Sequence, residues 1–145
     1  MSVQNTLNTA IYTQLAGTAG TALTSLLSGG TASPSVFFGQ APDNQSLPYV
    51  VWSFPSEIDQ NLIPHRMKDV VLRAYAVAAA PAQAGMIDAA IDTLLNEVTL
   101  PIGTASGYSN IWTKRENGYQ LISTSEAGIR YYTSGGDYRI NLTNG

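Results

Sequence analysis

Residues 67–77 read Met-Lys-Asp-Val-Val-Leu-Arg-Ala-Tyr-Ala-Val, and residues 81–98 read Pro-Ala-Gln-Ala-Gly-Met-Ile-Asp-Ala-Ala-Ile-Asp-Thr-Leu-Leu-Asn-Glu-Val. In the first stretch Val70, Leu72, Ala74 and Ala76 alternate with Asp69, Val71, Arg73, Tyr75 and Val77. That is the two-residue period of a strand with one apolar face and one mixed face. In the second stretch Ala84, Ile87, Ile91, Leu94 and Val98 follow at alternating steps of three and four, the stripe of an amphipathic helix. Pro81 suits the first helical turn, where its missing N–H has no partner to lose. A strand that gives way to a helix places the chain in the α/β (α+β) class.

Upstream, Pro-Tyr-Val-Val-Trp-Ser-Phe at 48–54 is β-branched and aromatic on both sides, which predicts a strand covered on both faces. Pro55 to His65 holds two prolines, two acids and Ile58, Leu62 and Ile63 without a period, and reads as a long loop. At the N-terminus Val3, Leu7, Ile11 and Leu15 recur every four residues, so a helix is predicted there. The stretch Gly17 to Gly20 interrupts it, and Ala22, Leu23, Leu26 and Leu27 resume it before Gly29-Gly30, a doublet suited to a left-handed helix exit. Val36-Phe37-Phe38 predicts a short strand, and Ala41-Pro42-Asp43-Asn44 a loop.

Downstream, Leu100 to Asn110 reads as a connection, and sheet structure is expected again from Ile111. Asn117-Gly118 and Gly135-Gly136 both carry hairpin-turn chemistry. A turn at Gly135-Gly136 would pair Tyr131 with Ile140 and Tyr132 with Arg139 on alternate faces. The expected architecture is a mixed, mainly antiparallel sheet packed by an N-terminal helix and one amphipathic central helix, ending in a C-terminal β meander. With 145 residues and no linker or repeat, residues 1–145 are expected to form a single domain.

Composition narrows function mainly by exclusion. Seven basic and ten acidic residues give a net charge of -3, which offers no electropositive footprint for specific nucleic-acid binding. The absence of cysteine removes disulfides, thiolate catalysis and cysteine-ligated metals. No leader or membrane-length apolar run is evident, so a soluble, unexported protein is expected. Phosphate-loop, dinucleotide and Gly-x-Ser-x-Gly fingerprints are missing.

The single histidine, His65, has no carboxylate at a useful spacing and reads as a loop residue rather than a metal ligand. Asp88 and Asp92 stand four apart on the exposed side of the predicted helix, either a solvated face or an acidic face turned toward a channel. Arg66, Lys68, Arg73, Lys114, Arg115, Arg130 and Arg139 read as cross-strand and rim charges, since Asp69, Glu116, Glu126 and Asp137 are interleaved. Tyr49, Trp52, Phe54, Tyr75, Trp112, Tyr119, Tyr131, Tyr132 and Tyr138 fall on predicted strands, where core packing, a subunit interface or a ligand platform are all open.

The order of elements carries a resemblance. Phe38-Gly39-Gln40-Ala41-Pro42 followed by Leu47-Pro48-Tyr49-Val50-Val51-Trp52, then the strand Val70 to Ala76 and the helix Ala82 to Val98, resembles the tail terminator or tail completion proteins of long-tailed bacteriophages and prophages. The resemblance runs from about Leu7 to Val98, and the segment Pro55–His65 and the tail after Gly128 depart from it. It implies a structural virion protein of the tail neck, assembled in the host cytoplasm, without catalytic residues, cofactor or metal. It also implies a hexameric ring that caps the tail tube protein, meets the head-tail connector protein and lets DNA pass without specific binding. A connector or stopper ring and a small-ligand binding module are the alternatives. On this reading the interface is expected at Ile58, Leu62, Ile63 and His65 and on the polar face of the last hairpin, Arg130, Tyr132 and Arg139, with Asp88 and Asp92 facing the lumen.

Overall fold

The computed structural model describes residues 3–61, 66–102, 109–124 and 128–143. Five strands form one open sheet: β1 (Val36–Phe38), β2 (Tyr49–Asn61), β3 (Arg66–Ala78), β4 (Ser109–Thr124) and β5 (Arg130–Thr143). Their spatial order is β1-β2-β3-β5-β4. Only β1 and β2 are parallel, and the other neighbours are antiparallel. The expected mixed, mainly antiparallel α+β sheet is therefore present. A Leu47-Pro48 cis peptide leads into β2.

One face of the sheet is covered by helices. α1 (Val3–Ala16) stops at Gly17, a 3-10 turn spans Thr18–Gly20, and α2 (Thr21–Thr24) follows, the single break expected from Gly17 to Gly20. Leu7, Ala10, Ile11, Leu15 and Leu23 from this segment are buried, as is the stripe Ala84, Ile87, Ile91 and Leu95 of α3 (Pro81–Leu95). They meet Val50 and Trp52 of β2, the alternating Val70, Leu72, Ala74 and Ala76 of β3, and Tyr138, Ile140 and Leu142 of β5. Leu95, rather than the expected Leu94, completes the helical stripe. Leu94 is half-buried, and its carbonyl accepts a 2.8 Å hydrogen bond from Gln14 Nε2, tying α3 to α1. Gly29 and Gly30 both adopt positive φ, 82° and 59°, as a left-handed exit requires.

Gly85 in α3 is a contrasting glycine. A Cβ there would meet nothing within 4 Å, and its φ is helical. Gly85→Ala is therefore expected to stabilise the protein by about 0.5–1 kcal/mol, read as a rise in the urea midpoint at constant slope. No change, or a loss, would mean that the helix surface at Gly85 is already engaged.

Two expectations fail, each for a physical reason. Pro55 to His65 is not a loop throughout, because β2 continues to Asn61 and pairs with β3 as far as Asn61 opposite Arg66. The register shift between Ser53 and Ser56 takes up Phe54 and Pro55, so the proline needs no ladder hydrogen bond. Asn117-Gly118 and Gly135-Gly136 are not turns either. Gly118 pairs with Gly136 and Tyr119 with Gly135 in the middle of β4 and β5. None of these three glycines takes the positive φ that a two-residue hairpin turn would need. The reversal lies instead between Thr124 and Arg130, next to Gly128 at φ 82°.

Candidate interaction surface

Two of the mid-strand glycines, Gly118 and Gly136, make room for one side chain. A Cβ on Gly118 would fall 2.7 Å from Arg115 Nη2, and one on Gly136 would fall 2.7 Å from Arg115 Nε. Arg115 lies across this bare backbone and reaches α3. Its guanidinium donates to Asp88 at 3.1 and 3.2 Å, to Asp92 at 3.4 Å and to the Gly135 carbonyl at 3.0 Å. Ser134 Oγ donates to Asp88 at 3.1 Å, and Tyr138 O–H donates to Asp92 at 3.2 Å. The cation also lies 5.7 Å from the centre of the Tyr138 ring. Burial pushes the Tyr138 phenol well above its ordinary pKa, with Arg115 opposing. The Asp88–Asp92 pair is thus not a solvated acidic face: their side chains are 14% and 36% exposed and grip a shared cation.

A second polar knot fixes the edge of the sheet. Glu97 N–H donates to the Thr113 carbonyl, Thr113 N–H to the Val98 carbonyl, and Arg115 N–H to Asn96 Oδ1. Asn110 Oδ1 accepts from the Leu100 N–H at 2.6 Å, while its Nδ2 donates to the Trp112 and Asn141 carbonyls. The connection after α3 therefore covers the first half of the outer edge of β4.

The helix-free face of the sheet carries Tyr49 and Val51 of β2, Arg73 and Tyr75 of β3, Tyr119 and Leu121 of β4, and Tyr131 and Thr133 of β5. Arg73 pairs with Asp137 at 2.9 Å and lies 5.9 Å from the Tyr119 ring centre. Arg139 pairs with Glu116 and with Asp69, and Lys68 pairs with Glu57. These are the cross-strand charges expected from the interleaved acids. A cleft of about 460 Å3 lies between Tyr49, Tyr75, Tyr131 and the 39–47 loop, and a groove of about 500 Å3 between Arg73, Tyr75, Tyr119 and Leu121. The strand aromatics divide between the faces: Trp52 and Tyr138 belong to the core, and the four tyrosines 49, 75, 119 and 131 to the helix-free side.

Burial raises the Tyr119 phenol to about 12, against the lowering pull of Arg73. The unfolded phenol ionises near 10. Between these values the folded chain holds a proton that the unfolded chain has lost, so stability is complete below about pH 10 and declines as pH rises toward about 12. Tyr119 is half exposed, and solvent screening reduces the effect to about 1 kcal/mol. Tyr119→Phe is expected to flatten this part of an alkaline urea-stability profile. An unchanged slope in the variant would assign the alkaline loss to other groups.

The expected interface residues scatter. Ile58 lies in β2 opposite Asp69, and Leu62, Ile63 and His65 lie outside the described residues. Arg130 and Tyr132 do not share a face with Arg139. In a continuous β5 even-numbered residues share the helix side, so Tyr132 borders Pro81 and Ala84 while Arg139 is on the opposite side with Asp69 and Glu116. The grouping depended on a turn at Gly135-Gly136 that the strand does not make.

What the sequence reading missed is the end of the β4–β5 hairpin. Leu121, Ile122 and Ile129 are 56%, 69% and 53% exposed, although each is a large aliphatic residue. Leu121 belongs to the helix-free side and Ile122 to the helix side, so the hairpin end is apolar on both faces. Large apolar groups left exposed on both faces of one hairpin end are the kind of surface that a partner covers.

Among the described residues no group of three or more potential metal ligands gathers, and every buried side-chain polar atom is hydrogen-bonded. The ionisable clusters hold the chain's own elements together, and the unsatisfied surface is apolar. These features define a small α+β protein with one filled core and an exposed apolar hairpin end. Residues 9–119 match the family described as Tail completion protein gp17, and the chain belongs to that family. It is accordingly a structural protein of the bacteriophage virion tail. No curated protein matches it by sequence. Its fold is similar to that of a chain in a structure titled "Virion of native gene transfer agent (GTA) particle", with a TM-score of 0.74 and 16% identity over 97% of each chain.

Proposed function

We propose that this chain is the tail terminator, a single domain of residues 1–145 acting without catalysis, cofactor or metal. Six copies close into a ring on the last ring of the tail tube protein, stop its growth in the neck of the virion, and offer the opposite side to the head-tail connector protein. The observation that carries the reading is the apolar hairpin end, where Leu121 and Ile122 stay exposed on a chain whose own core is filled. A head-to-tail contact that places such a patch against a different surface of the next copy closes into a ring. Ile58, Leu62, Ile63, His65, Arg130, Tyr132 and Arg139 remain assigned to contacts within the ring or with its neighbours, with Arg139 on the opposite side of β5 from Arg130 and Tyr132.

Of the proposed lumen-facing acids Asp88 and Asp92, both paired with Arg115, Asp92 is the more exposed and is the one that can also face a channel, and a net charge of -3 per chain favours passage of DNA without adhesion. Asp92→Asn, which leaves the Arg115–Asp88 pair in place, is expected to slow DNA ejection. Unchanged ejection removes the acids from the proposal.

The test of the whole reading is solution mass by light scattering, with and without purified tail tubes. A six-fold mass bound only at tube ends, with tube length no longer increasing, is the expected result. A chain that ignores tube ends but binds connector particles is a connector or stopper instead. Indifference to both leaves the open clefts of the helix-free face and a binding module.

A further inference from the structure

The outer edge of β4 is protected over only half its length. Thr113 and Arg115 turn their backbone groups outward and find partners in residues 96–98. A bulge between Arg115 and Asn117 resets the register, and beyond it Gly118, Gln120, Ile122 and Thr124 are the outward-facing residues. They stand opposite Gly136, Ser134, Tyr132 and Arg130 of β5. Among the described residues nothing pairs with this outer edge.

Exposed sheet edges are ordinarily blunted by lysine, other charges, proline or a bulge, because an open row of N–H and C=O groups accepts another strand. The stretch 117–124 reads Asn-Gly-Tyr-Gln-Leu-Ile-Ser-Thr, with no charge and no proline. Gln120, Leu121, Ile122, Ser123 and Thr124 are all exposed. The edge is thus open, apolar at its centre and uncharged.

We infer that Gly118–Thr124 is an interface between two copies of this chain, formed by antiparallel pairing of the segment with itself about a two-fold axis at Leu121. Three features select a second copy as the occupant. Charge is the first: in a two-fold pairing every residue lies near its own duplicate, and this segment contains no charge to repel itself. Register is the second. Centring on Leu121 sets Gly118 against Thr124 and Gln120 against Ile122, so all four outward residues on each chain gain ladder partners. Side-chain matching is the third: Leu121 meets Leu121 of the second copy in a non-hydrogen-bonded pair, where side chains approach most closely. Tyr119 falls opposite Ser123 on the same side. The pairing joins two five-stranded sheets into one and withdraws the apolar hairpin end of the free chain from water. The pairing is a contact of the free chain and is tested apart from the terminator reading: the hairpin end cannot pair about a two-fold axis and make a head-to-tail ring contact at once, so a pair has to open before its chains join a ring.

The protein contains no cysteine, which makes the axis directly testable in the full chain. Leu121→Cys places one thiol beside its own duplicate within reach of a disulfide, whereas Gly85→Cys, on α3 where an added Cβ meets nothing within 4 Å, does not. Expected results are a reversible dimer in a light-scattering concentration series and rapid oxidation of Leu121→Cys, but not Gly85→Cys, to a covalent dimer. Amide exchange at Gly118, Gln120, Ile122 and Thr124 should slow as concentration rises. Gln120→Lys should weaken dimerisation about tenfold or more at an unchanged circular dichroism spectrum. A monomer at every concentration overturns the inference, as does equal oxidation of the two cysteine variants, or exchange at the four amides that is independent of concentration. A ring on tube ends with no Leu121→Cys dimer sinks self-pairing and leaves the terminator reading standing. A crosslinked dimer from a chain that ignores tube ends does the reverse.

Discussion

Arg115→Met is expected to destabilise the protein by about 2–3 kcal/mol, seen as a fall in the urea midpoint at constant slope. Removing one partner of a fully buried ion pair costs more, about 3–5 kcal/mol, because the remaining charge stays uncompensated. Here Arg115 and Asp88 are 22% and 14% exposed and Asp92 36%, so water relieves part of that penalty. The methionine keeps most of the apolar stem but leaves Asp88 with Ser134 Oγ and Asp92 with the Tyr138 hydroxyl. The Gly135 carbonyl loses its 3.0 Å donor as well. A second change tests the cause: adding Asp88→Asn to Arg115→Met should recover about 1 kcal/mol or more relative to additivity, since it removes the stranded charge. A loss below about 0.5 kcal/mol in the single variant would show that the cluster behaves as an exposed surface pair.

Gly135→Ala should be at least as damaging, by about 3 kcal/mol, and should act through the backbone rather than through charge. A methyl group there would lie 2.4 Å from the Ala74 carbonyl oxygen and 2.4 Å from Tyr75 Cβ, both on β3. Because β5 is bonded to β3 on one side and to β4 on the other, it has no free side toward which to move. Gly136→Ala meets the Asn117 carbonyl at 2.4 Å and Arg115 Nε at 2.7 Å, so it combines the two lesions. Thermal midpoint and soluble yield are the readouts, with Gly85→Ala as the control of opposite sign. A Gly135→Ala protein of native midpoint would mean that β3 and β5 separate at little cost and that their close approach does not support the fold.

The two variants bear on one arrangement. Gly118 of β4 and Gly136 of β5 remove side chains along a track, and one arginine fills it to lock α3 onto the sheet, while Gly135 lets β3 approach β5 closely. From the sequence the glycines looked like turns, because Asn-Gly and Gly-Gly are the strongest hairpin signals when a strand is read without its neighbours. Glycine also serves where two backbones or a backbone and a side chain must approach closely, and that use becomes visible only when the facing strand is known. The same limit hid Arg115. The i, i+4 spacing of Asp88 and Asp92 was legible and marks a pair able to share a partner, but nothing local connects that pair to an arginine more than twenty residues later.

The interface residues were misplaced for a related reason. Arg130, Tyr132 and Arg139 were grouped by a turn that would have folded them onto one side, whereas an unbroken β5 sends Arg139 to the other. No local signal marks Leu121, Ile122 and Ile129 as exposed, since apolar strand positions are usually covered. The exposure of Leu121 and Ile122 follows from strand order: β4 is the last strand, and the connection after α3 covers only the first half of its outer edge.

By itself the sequence determined everything that rests on local period and backbone permission. The alternating apolar residues of β3 are all buried, the stripe of α3 faces the sheet, Gly17 breaks the N-terminal helix, and Gly29 and Gly30 turn left-handed where only glycine does so freely. Residues Phe38 to Trp52 and the order of elements also carried the family, because turn and packing signals there follow one another in a set sequence. Tertiary structure alone decided which strand lies at the edge, which glycines are turns and which are tracks, and which charges meet. Those are properties of pairs of segments distant in the chain, and the periodicity of one segment contains no information about its neighbour.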